Sequence, residues 1–268
     1  MISTFALHPA AAKALIARAV VKLPAFQKAY RQGRICMGRG STNAAILREL
    51  WGDAAPETGA YLAGMIAWQS ACIASSDHPV AQVCLQRGER WLGDEIEFLH
   101  QFESGDIFIK GANAVDPTGR AAVLVGHPEG GGIGKPYGII KALGIPIICP
   151  VGLEKLIPSC TEAAKGMGIL NIGPHLGMRL GYLVLEGAQV VTEIESIEIL
   201  YGLKAVAIAG GGMGGMEGSV MLAIESEDEA RLEALIQDMK QLNRISPPQV
   251  KKRSCTDCAD PCWMNVKR

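Results

Sequence analysis

The sequence predicts an α/β protein: a Rossmann-like, mostly parallel sheet with helices on both faces, a smaller α+β region and a cysteine-containing C-terminal tail. Three observations predict it. Short apolar runs of strand length, among them Ala121–Val125, alternate with segments of helical composition, the pattern of βαβ units. Those runs end in turns rich in glycine, lysine and asparagine, where ligands sit in open α/β sheets. Beyond residue 165 the strands become closely spaced, which is α+β character. The expected units are a ligand-binding domain over 1–164, the smaller region over 165–246 and the tail over 247–268.

The elements follow in chain order. Residues 9–30 are rich in Ala, Leu, Lys and Arg, good helix formers, and Pro24 divides them into two helices. Arg34–Met37 is a short strand. After the turn Gly38-Arg39-Gly40-Ser41-Thr42-Asn43 comes a helix over 44–50, which Ser41 or Thr42 is placed to cap. Residues 61–75 are apolar and fit either strand or buried helix. An amphipathic helix is expected over 88–102, a strand over 106–109, a helix over 138–143 and a buried strand over 146–149. Residues 181–186 and 189–193 read as a hairpin across Gly187-Ala188. A strand over 205–209 runs into a glycine cluster, and Ser219–Glu225 is another strand. Residues 228–242 have the acidic start and spacing of a surface helix, and Pro247-Pro248 ends the fold.

Composition sets limits. Of 268 residues, 49% are hydrophobic and 20% charged, which suits a globular chain and not a disordered one. Thirty-two glycines imply many tight turns and sites built from backbone. The most apolar stretch, 139–153, is broken by Gly144, Pro146, Pro150 and Gly152, so no bilayer span is expected. The N-terminus lacks a secretory signal pattern, and eight irregularly spaced cysteines read as reduced thiols. The expected location is cytoplasmic. A net charge of −1 argues against nucleic acid and membrane as partners. Eight basic residues from Lys13 to Arg48 precede the first acid, Glu49, and they form solvated helix faces or a positive region beside an anion site.

Strand, glycine turn and helix at residues 34–50 make an anion-binding arrangement, because free N–H groups and the helix dipole point at one spot. Gly38-x-Gly40-Ser41-Thr42 resembles the phosphate loop of type A ribose-phosphate isomerases. The stretch from Asp106 through Lys110-Gly111-Ala112-Asn113 to Asp116-Pro117 is similar to their strand-end motif. Gly130-Gly131-Gly132 falls at a further glycine-rich turn of theirs, and Ile147 to Lys155 is similar to the strand and lysine that follow. The likeness covers roughly residues 10–158 and implies the superfamily of ribose-phosphate isomerases, glucosamine-phosphate deaminases and coenzyme A transferases, with homo-oligomers common in it. Two acidic positions of the isomerase motif are Lys110 and Asn113 here, and Gly134-Lys135 stands where a catalytic carboxylate is expected. The resemblance implies the scaffold and argues against the isomerase reaction, which needs a base to move a proton.

The candidate ligand-binding residues are therefore Gly38, Gly40, Ser41, Thr42, Asn43, Gly111, Asn113, Gly130, Gly131, Gly132 and Lys135. Lys110 is a candidate catalytic residue, since a desolvated lysine serves as a base or as a Schiff-base amine. Glu129 is a second, because coenzyme A transferases use a glutamate nucleophile near glycine-rich turns, and Glu217 is a parallel candidate. Asp116 is expected to brace its turn. Cys255-x-x-Cys258-x-x-x-Cys262, flanked by Lys251, Lys252, Arg253, Lys267 and Arg268, groups three thiols as zinc or an iron–sulfur cluster requires. A fourth ligand would come from Cys149, Cys160, a histidine, a second subunit or water. The sequence thus supports an enzyme-like protein that binds a small phosphorylated or carboxylated metabolite, with isomerase- or acyl-transfer-like chemistry. The alternative is a non-catalytic sensor or accessory protein with a metal-binding or redox-responsive tail.

Overall fold

The computed structural model describes residues 1–67, 69–258, 260 and 262–264; Lys267 and Arg268 lie outside them. The chain starts with β1 (Ile2–Leu7). Helix α1 (Pro9–Lys22) has proline in its first turn and is capped by His8, whose ring nitrogen accepts from the Ala10 and Ala11 N–H groups. Pro24 opens α2 (Pro24–Gln32), as the sequence predicts, and β2 (Arg34–Met37) follows. Helix α3 (Ser41–Trp51) begins earlier than expected. The ambiguous stretch 61–75 is a hairpin of β3 (Gly64–Ala67) and β4 (Ser70–Ser75).

The helix expected over 88–102 forms only in its second half. Its first half is β6 (Glu89–Trp91), paired with β5 (Val83–Gln86), because Arg87 and Gly88 adopt φ of 51° and 80° and make a tight hairpin turn. Asp94 then caps α4 (Glu95–His100). Next come β7 (Ile107–Ile109), β8 (Ala114–Val115), β9 (Ala121–Val125), α5 (Gly131–Leu143) and β10 (Ile147–Pro150). The remainder is α6 (Cys160–Ala164), β11 (Gly181–Val184), β12 (Gln189–Val191), α7 (Glu193–Tyr201), β13 (Ala205–Gly211), β14 (Ser219–Glu225), α8 (Glu229–Leu242) and β15 (Lys251–Lys252). Thr192 and Glu195 form a capping box on α7, and Asp228 caps α8. Among the described residues no helix is long and apolar enough to cross a membrane.

The central sheet has the order β12-β10-β7-β2-β5-β6. Its first four strands are parallel; β5 and β6 are antiparallel. It is thus a mixed sheet that departs from the expected parallel pattern at the β5–β6 edge. Side chains alternate between its faces. Ile35, Met37, Ile107, Ile109 and Ile148 pack with Ile16, Val20, Phe26 and Ile46 of α1 to α3. Cys36, Phe108, Ile147 and Cys149 pack on the other face with Phe98 and Leu99 of α4 and Ile133 and Ile140 of α5.

Two pairings differ from expectation. β11 and β12 flank a turn at Gly187 (φ 72°), yet they do not pair: β11 joins β9 antiparallel in a separate sheet, and β12 joins β10 parallel. Leu185 between them is 1% exposed and belongs to the core packed under both sheets, which favours the split. A third sheet, β1-β14-β13, packs on α8 and α1 through Leu7, Leu15, Leu222, Leu235 and Met239. Segments therefore cross the expected boundary at 164/165 in both directions: β12 and α7 complete the central sheet region, and β1 joins β13 and β14. Finally, β15 pairs antiparallel with β4 and brings the tail back onto the body.

Candidate functional site

The carboxyl ends of β2, β7 and β10 open on a cavity of about 780 Å³. Its wall includes Gly40, Ser41 and Thr42 after β2, Lys110 to Asn113 after β7, Lys155 after β10, and Gly130 to Ile133 at the start of α5. Three glycine- or lysine-bearing segments that the sequence singled out separately thus meet in one place. This is the position at which parallel α/β sheets hold ligands.

Two helices start at the cavity, and neither has a side-chain cap. The cap position of α3 is Gly40, with extended backbone, so Ser41 and Thr42 occupy the first turn and do not cap it as expected. The cap position of α5 is Gly130, at φ 80° in the left-handed region that glycine adopts without penalty. This helix starts at Gly131, well before the expected residue 138, and absorbs the glycine run into its first turn. Residues of both first turns line the cavity, so the positive ends of both helix dipoles lie against it. Gly134 has no room for a side chain, since a Cβ would lie 1.8 Å from the Glu129 carbonyl oxygen. Gly134→Ala should lower stability by roughly 1–3 kcal/mol, the cost of overpacking, and a urea midpoint equal to wild type would refute that constraint.

Charge reinforces the helix ends. Lys110 Nζ donates to the Gly111 carbonyl at 3.2 Å, and Lys155 Nζ donates to the Ala112 carbonyl at 2.8 Å. Both lysines are half-buried, and among the described residues neither ends on a carboxylate. Burial pushes the Lys110 ammonium down to about 8; Cys149 opposes the shift and Lys155 adds to it. Lys155 is likewise lowered, first by burial, with Glu154 opposing. Arg39 gives one N–H to the Leu62 carbonyl, its Nε is buried without a partner, and burial lowers its pKa. Gly38 makes the arrangement fit: a Cβ there would lie 2.7 Å from Lys110 Cδ and 3.1 Å from Gln82 Oε1.

The remaining candidates separate by position. Gly111 and Asn113 line the cavity, and Asn113 Oδ1 accepts from the Leu124 N–H at 3.0 Å, leaving its amide group for other contacts. Glu217 lies on the rim, its Oε2 accepting from the Gly215 N–H. Asn43 is fully buried and points away, donating to the Gly38 carbonyl at 2.6 Å and the Ile109 carbonyl at 3.3 Å. It ties the glycine turn to β7 and does not face the cavity. Asn43→Ala should cost about 1–3 kcal/mol by leaving those carbonyls unpaired, measured by chemical denaturation. Glu129 and Lys135 are exposed, pair with each other at 3.3 Å and do not line the cavity. Because α5 starts so early, Lys135 is carried past its first turn.

Sequence reasoning passed over several contributors. Lys155 was visible only as part of a resemblance, Gln82 has no motif around it, and Lys13 was one of eight basic residues. Lys13 also lines the cavity, and its Nζ bonds Glu154 Oε1 at 3.0 Å. Glu193, fully buried, accepts from the Leu153 N–H at 2.9 Å. Burial and then the neighbouring Glu154 push its carboxyl up to about 7. Both carboxyls press against Gly152, where a Cβ would stand 1.8 Å from Glu154 Oε2 and 3.1 Å from Glu193 Oε1. Asp116 does brace its turn: it accepts from Thr118 and Arg120 and from the Cys160 N–H.

None of the eight cysteines is in a disulfide. Cys255, Cys258 and Cys262 line a second pocket of about 450 Å³. No three Cys, His, Asp or Glu side chains among the described residues already stand at metal-holding distances. The two cysteine candidates for a fourth ligand lie elsewhere: Cys149 is buried in the central sheet, and Cys160 donates to the Arg120 carbonyl beneath β9. In comparisons with known proteins, the chain matches no family model, no curated protein and no solved structure.

Proposed function

We propose that this chain binds a small metabolite carrying a phosphate or carboxylate, and that Lys110 supplies a reactive amine for chemistry at a carbonyl of that ligand. One observation carries the reading. Two uncapped helix N-termini line a single cavity with two half-buried lysines that, among the described residues, bond only to backbone carbonyls. Each is a modest attraction for an anion; converging, they make a site where negative charge replaces unsatisfied donors.

The reaction class follows from what lines the cavity. Lys110 stands where the resembled isomerases carry a carboxylate, and the neighbouring Lys155 favours its neutral form. Roughly a tenth of such an amine is neutral at pH 7, some two orders of magnitude more than for an exposed lysine. Neutral Nζ attacks a carbonyl carbon, and loss of water leaves an imine. The anionic group of the same ligand would be held by the α3 and α5 N-termini. Acyl transfer through Glu129 gains no support, because that side chain is outside the cavity.

Calorimetric titration with inorganic phosphate, phosphorylated aldehydes and 2-oxo acids tests binding, and cyanoborohydride trapping with peptide mass analysis tests the amine. The expected result is saturable binding and a reduced adduct on Lys110. Binding without an adduct would replace the enzyme reading by the sensor reading. No binding of any anion would overturn both.

A further inference from the structure

The tail is sewn onto the body beside a cysteine that lies far away in sequence. Lys252 of β15 pairs with Ala74 of β4, and the Arg253 N–H donates to the Ile73 carbonyl at 3.1 Å. From there the chain turns through Cys255 and returns, so that the Cys262 sulfur accepts from the Gly177 N–H at 3.3 Å. Gly177 itself bridges to Ala71, and the Met178 N–H donates to the Ala71 carbonyl. Arg179 clamps Asp260, which stands between Cys258 and Cys262 in the chain, with an Nη2–Oδ1 distance of 2.6 Å. The result places Cys72, one residue on from Ala71, in the same pocket as the three tail thiols.

One cationic side chain already reaches the sulfurs of this pocket. Lys252 Nζ lies 3.2 Å from Cys255 Sγ, and Lys252 lines the pocket together with Cys72 and Cys262. Two further contacts are ones a thiolate keeps or gives up at little cost: an N–H on Cys262, and the Cys258 thiol donating to the Asp260 carbonyl at 3.2 Å. Cys72, Ile73, Gly126 and Met178 line both this pocket and the anion cavity, so the two sites share a wall.

We propose that Cys72, Cys255, Cys258 and Cys262 together hold a thiophilic metal centre, a zinc ion or an iron–sulfur cluster. Soft thiolates in this number satisfy either centre; the sulfurs do not stand at metal-holding distances in the present arrangement, so binding would draw them together and replace the Lys252 and Asp260 contacts by metal–sulfur bonds. The displaced Lys252 and nearby Arg253 then offset the negative charge of four thiolates on one centre. Binding would release protons, because each thiol must ionise.

The test uses the full chain purified without oxygen, with zinc, iron and acid-labile sulfide determined against protein, followed by reconstitution with zinc or with iron and sulfide. About one centre per chain is expected, lost in Cys72→Ser and in Cys255→Ser and retained in Cys160→Ser. Sulfide and iron together identify a cluster; zinc alone identifies a single ion. In case Cys72→Ser fails to fold, cobalt(II) titration of the metal-free wild type reads the ligand set directly, since sulfur-to-cobalt charge-transfer intensity grows with each thiolate. Intensity for four thiolates supports the site. No stoichiometric metal after reconstitution, full metal content in a folded Cys72→Ser, or intensity for two thiolates would overturn it.

Discussion

Lys110→Met is expected to weaken binding of inorganic phosphate roughly 10- to 100-fold, the loss of one charge-assisted hydrogen bond worth about 1.5–3 kcal/mol, and to abolish adduct formation altogether. Methionine keeps the length of the stem, which lies against Gly38, so the cavity should survive. The pH dependence gives a sharper check. Labelling of the Lys110 amine by an acylating reagent should have its midpoint near 8 in the ligand-free protein. Lys155→Met removes a neighbouring positive charge and should move that midpoint upward. Saturating phosphate should also move it upward, since a bound anion favours the ammonium, and should slow labelling near the midpoint. A midpoint at the ordinary lysine value, unmoved by phosphate, would mean that Lys110 does not face the ligand.

The second large effect concerns Glu193, behind the cavity. Its carboxyl titrates at about 7 in the folded chain against 4.5 for the unperturbed group. Below pH 4.5 both states are protonated and the group contributes nothing to pH dependence. As pH rises from 4.5 to about 7 the unfolded chain ionises first, so stability falls; above that window the loss is complete. It amounts to something on the order of 3 kcal/mol. Glu193→Gln keeps an acceptor for the Leu153 N–H and gives the neighbouring Glu154 a donor in place of a second negative charge. The variant should therefore match wild type near pH 4.5 and exceed it in stability near pH 8. Urea midpoints at both pH values check this; a constant offset between the two curves would show that Glu193 is not the titrating group.

Several site residues were legible in the sequence because their signals are local. The order strand, glycine turn, helix at 34–51 depends on neighbours in the chain, and it formed with the helix starting at Ser41 and its cap position at Gly40 in place of Ser41 or Thr42. Lys110 stood out because a lysine ending a buried strand needs a reason. Asn43 and Glu129 carried the right chemistry in the right stretch. Their direction depends on packing: Asn43 turns under the glycine loop, and Glu129 turns out to solvent beside Lys135.

By itself, then, the sequence determined the strand, glycine turn and helix at 34–51, the two proline-started helices, the glycine turns and the spacing of the tail thiols. These rest on propensity, periodicity and backbone freedom, all short-range. Only the tertiary structure decided which strands pair, sending β11 and β12 to different sheets and β1 to β14. It also decided which distant groups meet: Lys155 beside Lys110, Glu154 beside Glu193, and Cys72 beside the tail. Such meetings are fixed by how whole faces bury against one another, and no window along the chain contains both partners.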